Sequence, residues 1–141
     1  MKKEIKQKIE SMRKLFAREK TVKLAYLFGS YATNKRTKLS DVDIAVLFDN
    51  KLNKSKMFKK ELELINELSG LFKDFDLVVL NNDIDILLKY NIIRTGILLK
   101  DSRQTRPEFE YNLMNEYLDR QHHEQLRADI LINRFCQRGL K

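Results

Sequence analysis

Between residues 3 and 19 the apolar side chains fall at Ile5, Ile9, Met12, Leu15 and Phe16, with lysines and arginines between them. Spacings of three and four predict an amphipathic helix with a basic outer face. The period then changes. Val22 to Phe28 is a β-prone run that stops at Gly29, and Val42-Asp43-Ile44-Ala45-Val46-Leu47-Phe48 is a second, closed by Asp49-Asn50. Both predict strands, the first running directly into a turn. Tyr31 to Leu39, rich in Asn, Lys, Arg and Thr, reads as a short helical turn followed by a polar loop. Residues 55–69 return to helical spacing on Phe58, Leu62, Ile65 and Leu68, with Gly70 placed to cap the end.

Phe75 to Leu80 predicts a third strand. Asp83 is placed to cap a helix running to about Arg94 and ended by Thr95-Gly96, and Ile97 to Lys100 suits a short fourth strand. Thr105-Arg106-Pro107-Glu108 has the form of a capping box with proline in the first turn. A long helix over about residues 105–136 follows, built on Phe109, Leu113, Tyr117, Leu126 and Ile130. Helices alternating with strands predict an α/β fold, a small mixed sheet flanked by helices.

Composition narrows the class. At 141 residues, 43% apolar and 34% charged, the chain is expected to fold as a single domain over 1–141. No repeat or low-complexity linker interrupts it. Its longest apolar runs are too short for a bilayer, and no apolar segment follows the basic N-terminus, so neither a membrane span nor a secretion signal is expected. The single cysteine, Cys136, excludes an internal disulfide and suits a reducing compartment; the expected location is cytoplasmic. Lys plus Arg number 28 against 20 Asp plus Glu, a net charge of +8. That excess suits an anionic partner, but it also suits a plain solvated surface. The charge is scattered over helical segments, and no stable DNA binding is expected.

The chemistry concentrates in one block: Leu27-Phe28-Gly29-Ser30, ten intervening residues, then Asp41-Val42-Asp43. A strand that ends in Gly-Ser and turns into a helix offers backbone N–H donors and a helix dipole to a phosphate. Glycine lets the backbone come close, and serine adds a hydroxyl. Asp41 and Asp43 lie two apart at a strand start, so their carboxylates share a face, with Cα atoms roughly 6–7 Å apart. Two such acids repel in a dry site unless a cation lies between them. Mg²⁺ fits, because it takes one or two carboxylates plus substrate phosphates. Either half alone is common in turns. Four specified residues at fixed offsets arise by chance about once in a thousand sequences of this length, which favours function.

Asp76 adds a third acid inside an apolar run. If its strand pairs beside the Asp41–Asp43 strand, three carboxylates share a face and can hold two metal ions, with Asp76 as general base toward an attacking hydroxyl. Asp74 lies on the same face and competes for that role. Asp76 is preferred because it is inside the strand.

Gly29-Ser30-x10-Asp41-x-Asp43, followed by Asp76 in a strand, resembles the DNA polymerase β-like nucleotidyltransferases. The small size is similar to the minimal nucleotidyltransferases, specifically the MntA antitoxins paired with HEPN-domain, HepT-like toxins. The resemblance covers roughly residues 20–100 and the last helix more loosely. It implies that AMP is transferred from ATP, with Mg²⁺ (two ions), to a tyrosine hydroxyl of the toxin, releasing pyrophosphate and silencing its RNase. It also implies that Gly29 and Ser30 hold phosphates, that Asp41 and Asp43 hold metal, and that Asp76 activates the acceptor and shares the metal. Many relatives carry an arginine soon after Gly-Ser, whereas here the turn reads Tyr31-Ala32-Thr33-Asn34, leaving Lys35, Arg36 or Lys38 to supply that charge. Ser40 matches the family pattern and also suits a turn cap.

Other residues read as structural. His122 and His123 are adjacent on a helix, about 100° apart, and cannot share a metal face. Cys136 is expected to be buried or half-buried, and Tyr90, Tyr111 and Tyr117 to pack helices. The Phe109, Leu113 and Tyr117 stripe is expected to pack within the chain. Two alternatives remain: transfer to a small molecule or an RNA 3′ end, and a non-catalytic binder that masks a toxin.

Overall fold

The computed structural model describes residues 2–29 and 42–139. The order is α1 (Lys2–Arg18), β1 (Val22–Phe28), β2 (Val42–Phe48), α2 (Lys54–Ser69), β3 (Phe75–Val79), α3 (Ile86–Thr95), β4 (Ile97–Lys100) and α4 (Thr105–Gly139). The four strands form one sheet in the order β3-β2-β1-β4. β1 is antiparallel to both β2 and β4, while β2 and β3 are parallel, joined through α2. The mixed sheet with flanking helices is the expected fold class. The helical turn expected over Tyr31–Leu39 lies outside the described residues.

Alternation along β2 divides the two faces. Val42, Ile44, Val46 and Phe48 point to one side and pack with Met12, Leu15 and Phe16 of α1 and Leu64 and Leu68 of α2. Ala45 points to the other and packs with Leu24, Tyr26, Leu80 and Ile92. In β1 the ladder pairs Val22 with Phe48 and Leu24 with Leu47, so Lys23 is an extra residue. That bulge switches the parity of the strand. Val22, Ala25 and Leu27 join the first core, and Leu24 and Tyr26 join the second.

Side chains tie the elements together. Beyond β3, Leu80 N–H donates to Val46 O at 2.8 Å. The Asn81 amide then takes the place of a backbone unit, accepting from Phe48 N–H at 2.8 Å and donating to Phe48 O at 3.0 Å. The buried Tyr26 hydroxyl donates to Glu110 at 2.9 Å, pinning α4 over the middle of β1. Burial, and then the hydrogen bond and charge of Glu110, push that phenol's pKa upward. From β4, Lys100 Nζ donates to the carbonyl of Glu19 at 2.6 Å, closing the end of α1.

Several local expectations are corrected. The cap of α3 is Asp85, which accepts from Leu87 N–H at 3.1 Å, and not Asp83; Ile84 N–H bonds back to Asn82 O, a turn that delays the helix. At α4, Ser102 takes the capping role given to Thr105, accepting from Thr105 N–H through its hydroxyl at 3.2 Å. The inner face of α2 is set by Leu64 and Leu68, leaving Phe58 and Leu62 exposed. Tyr90 and Tyr117 do pack, stacked with centroids 3.8 Å apart, whereas Tyr111 is exposed. Leu126, Ile130 and Cys136 are exposed as well, because α4 continues past the body that its first half covers.

Candidate active site

The site lies where β1 ends and where β2 and β3 begin. The β1–β2 ladder pairs Phe28 with Asp43, so Gly29 leaves the sheet directly beside that acid. Gly29 has φ +77°, a left-handed conformation that an L side chain adopts only at a cost of roughly 1–2 kcal/mol. Space forbids a side chain there too. A Cβ on Gly29 would collide with the Asp43 carboxylate, and would lie 3.2 Å from its Cγ and 3.4 Å from its Cβ. In the sequence this glycine suits close approach of a phosphate. The geometry adds a second requirement: glycine makes the room in which the Asp43 carboxylate stands.

The β2–β3 ladder pairs Asp43 with Asp76 directly. Neighbouring parallel strands are about 4.8 Å apart, and residues in register point to the same side. Both carboxylates therefore project from the α3/α4 face, in the rows that continue through Ala45 and Val78 into the second core. They sit at the sheet's end. Asp43 is half-buried and Asp76 exposed, so the pair opens to solvent. Asp74 precedes β3; its side chain is exposed, and its carbonyl accepts from Val42 N–H at 3.5 Å. In the register it is Asp76, and not Asp74, that faces Asp43.

Of the residues singled out in the sequence, the structure thus brings Gly29, Asp43 and Asp76 together. Ser30, Arg36, Ser40 and Asp41 lie outside the described residues. Among the described residues there is no cluster of three or more His, Cys, Asp or Glu able to hold a metal ion. Two hard carboxylates side by side nevertheless fit Mg²⁺, which completes its shell with water and substrate phosphates. His122 and His123 are exposed on α4, ring centroids 6.3 Å apart. No described helix is long and apolar enough to cross a membrane.

Comparison with known proteins bears on the family and the fold. Residues 10–105 match the family described as polymerase beta, nucleotidyltransferase. A Methanocaldococcus jannaschii protein named as a protein adenylyltransferase is 40% identical over 68 residues, spanning 48% of this chain and 66% of that protein. Among solved structures, a chain of a toxin–antitoxin complex with AMP-PNP superposes with a TM-score of 0.63 at 27% identity, covering 89% of this chain and 97% of the other. A chain from the complex of tri-AMPylated Shewanella oneidensis HEPN toxin with MNT antitoxin gives 0.61 at 25% identity, covering 91% and 98%.

Proposed function

Because this chain belongs to the polymerase beta nucleotidyltransferase family, we propose that it is an antitoxin that transfers AMP from ATP to a tyrosine hydroxyl of a cognate HEPN-type toxin. The observation that carries the reading is the register of Asp43 against Asp76 beside Gly29. The named activity of the M. jannaschii relative, and the AMPylated toxin in the Shewanella complex, support a protein acceptor.

In this reading the acceptor oxygen attacks the α-phosphorus of ATP, the bond between the α- and β-phosphates breaks, and pyrophosphate leaves. Asp76, exposed at the rim, takes the proton of the acceptor hydroxyl. Asp43 and Asp76, with Asp41, would hold Mg²⁺. Bound there, Mg²⁺ supplies charge neutralisation at the phosphates and lowers the pKa of a coordinated hydroxyl. Gly29 and Ser30 present backbone N–H and hydroxyl donors to the phosphates. Arg36, with Lys35 and Lys38 as alternatives, supplies positive charge, and Ser40 adjoins the nucleotide.

The test is incubation with α-labelled ATP, Mg²⁺ and the protein encoded by the adjacent gene. Label should appear on that protein, at tyrosine, with wild type and not with Asp43→Asn/Asp76→Asn. Label on RNA or a small molecule instead selects the other acceptors. A double variant that still neutralises the toxin at ordinary expression would make the chain a masking binder.

A further inference from the structure

The body of the protein ends before α4 does. Phe109 packs against the second core, Leu113 is buried, Tyr117 stacks on Tyr90, and Arg120 reaches Asp85 at 3.8 Å. From Gln121 to Gly139 the helix runs on for roughly 28 Å at 1.5 Å per residue. Along residues 121–137 every side chain is exposed except half-buried Ala128. This stretch is not a polar tail. Leu131, Ile132 and Phe135 are 63%, 58% and 78% exposed and follow the i, i+1, i+4 spacing of one face. Leu126 and Ile130 are also exposed and lie about 170° away around the helix at 100° per residue.

Two opposed apolar faces constrain what can cover them. A membrane surface, or a single helix from a second copy, covers one face and leaves the other in water. Arg127 and Arg134, seven residues apart, line one flank of the Leu131 face. In an antiparallel pair of two copies that arginine row would meet itself. Helices apolar on opposite sides are stable when inserted between two walls.

We propose that residues 121–137 of α4 are the docking element for the toxin, inserting into a cleft of that protein with two apolar walls and a carboxylate-lined rim facing Arg127 and Arg134. The inference rests on the reading of this chain as a toxin-modifying antitoxin. It adds a division of labour: the helix holds the acceptor protein, while the carboxylates at the other end of the sheet do the chemistry. Asp85, against which α4 leaves the body, follows the end of β3 opposite Asp76.

The experiment uses the full chain and the adjacent-gene protein. Binding is measured by titration calorimetry for wild type, Leu131→Glu/Phe135→Glu, Leu126→Glu/Ile130→Glu, Arg127→Glu/Arg134→Glu and the catalytic control Asp43→Asn/Asp76→Asn. Each of the three helix variants should weaken binding at least tenfold while leaving the circular dichroism melt unchanged. The catalytic control should bind within twofold of wild type and transfer no AMP. Unchanged affinity for either apolar-face variant overturns the docking element, and if AMP transfer persists the chemistry still stands. Helix-dependent binding without any transfer overturns the chemistry and leaves the docking element. Wild-type chain that binds no toxin, but self-associates or sediments with anionic vesicles through these faces, overturns the inference outright.

Discussion

The two faces of the sheet share the same strands and differ in almost everything else. The face toward α1 and α2 is continuous apolar packing, with Val42, Ile44, Val46 and Phe48 alternating down β2 and no acid among them. The face toward α3 and α4 carries Asp43 and Asp76 at one end and the Tyr26–Glu110 hydrogen bond at its centre. One strand supplies both. Because successive β residues point to opposite sides, Asp43 can be held in place by buried Val42 and Ile44 without being buried itself. The closed face fixes where the backbone lies, and the open face uses that precision. Mutations on the two should therefore separate activity from stability.

The largest separation is expected at adjacent residues. Asp43→Asn should lower nucleotidyl transfer by about a thousandfold, on the order of 4 kcal/mol of transition-state stabilisation, while shifting the thermal midpoint little. Ile44→Ala, one position on, should do the reverse: about 2–5 kcal/mol of stability lost by denaturant titration, with transfer by the folded fraction preserved. Equal stability losses for the two would break the comparison. Gly29→Ala comes next. Its strained φ costs roughly 1–2 kcal/mol, and displacement of the Asp43 carboxylate should lower transfer by more than that stability loss accounts for.

Tyr26→Phe tests the centre of the open face. It removes a hydrogen bond to a carboxylate in a buried setting, and about 1–2 kcal/mol of stability should go with it. The smallest effect belongs to Glu19, half-buried after α1. Burial first, and then the charge and hydrogen bonding of Glu67, raise its folded-state pKa above 4.5. An acid with a raised folded pKa favours the native state while protonated, and that contribution is lost as pH rises through the folded value. Glu19→Gln should therefore raise the melting temperature slightly at pH 7 and leave it unchanged at pH 4.

Much of this was legible in local pattern. The bounds of β1 and β2 follow from the runs that end at Gly29 and at Asp49, because a change of period and a turn residue coincide there. The neighbour relation of Asp43 and Asp76 is not local. It depends on β3 crossing over through α2 to pair in parallel with β2, and no spacing within either strand encodes that partner. The clash that reserves Gly29 for glycine depends on the other ladder, β1 against β2, which sets Asp43 beside the end of β1. Local preference alone does not single out the caps at Asp85 and Ser102, because Asn82, Asp83, Asp101 and Thr105 satisfy it as well. Exposure of Leu126, Ile130 and Cys136 reflects where the rest of the molecule stops, which helical periodicity does not record.

The central claim is that Asp43 and Asp76, beside Gly29, form one metal–nucleotide site. Its most direct test is Mn²⁺ binding in the presence of a non-hydrolysable ATP analogue, followed by electron paramagnetic resonance, for wild type, Asp43→Asn and Asp76→Asn. Each substitution should weaken Mn²⁺ binding at least tenfold with the fold intact. Wild-type affinity in both variants would contradict the account.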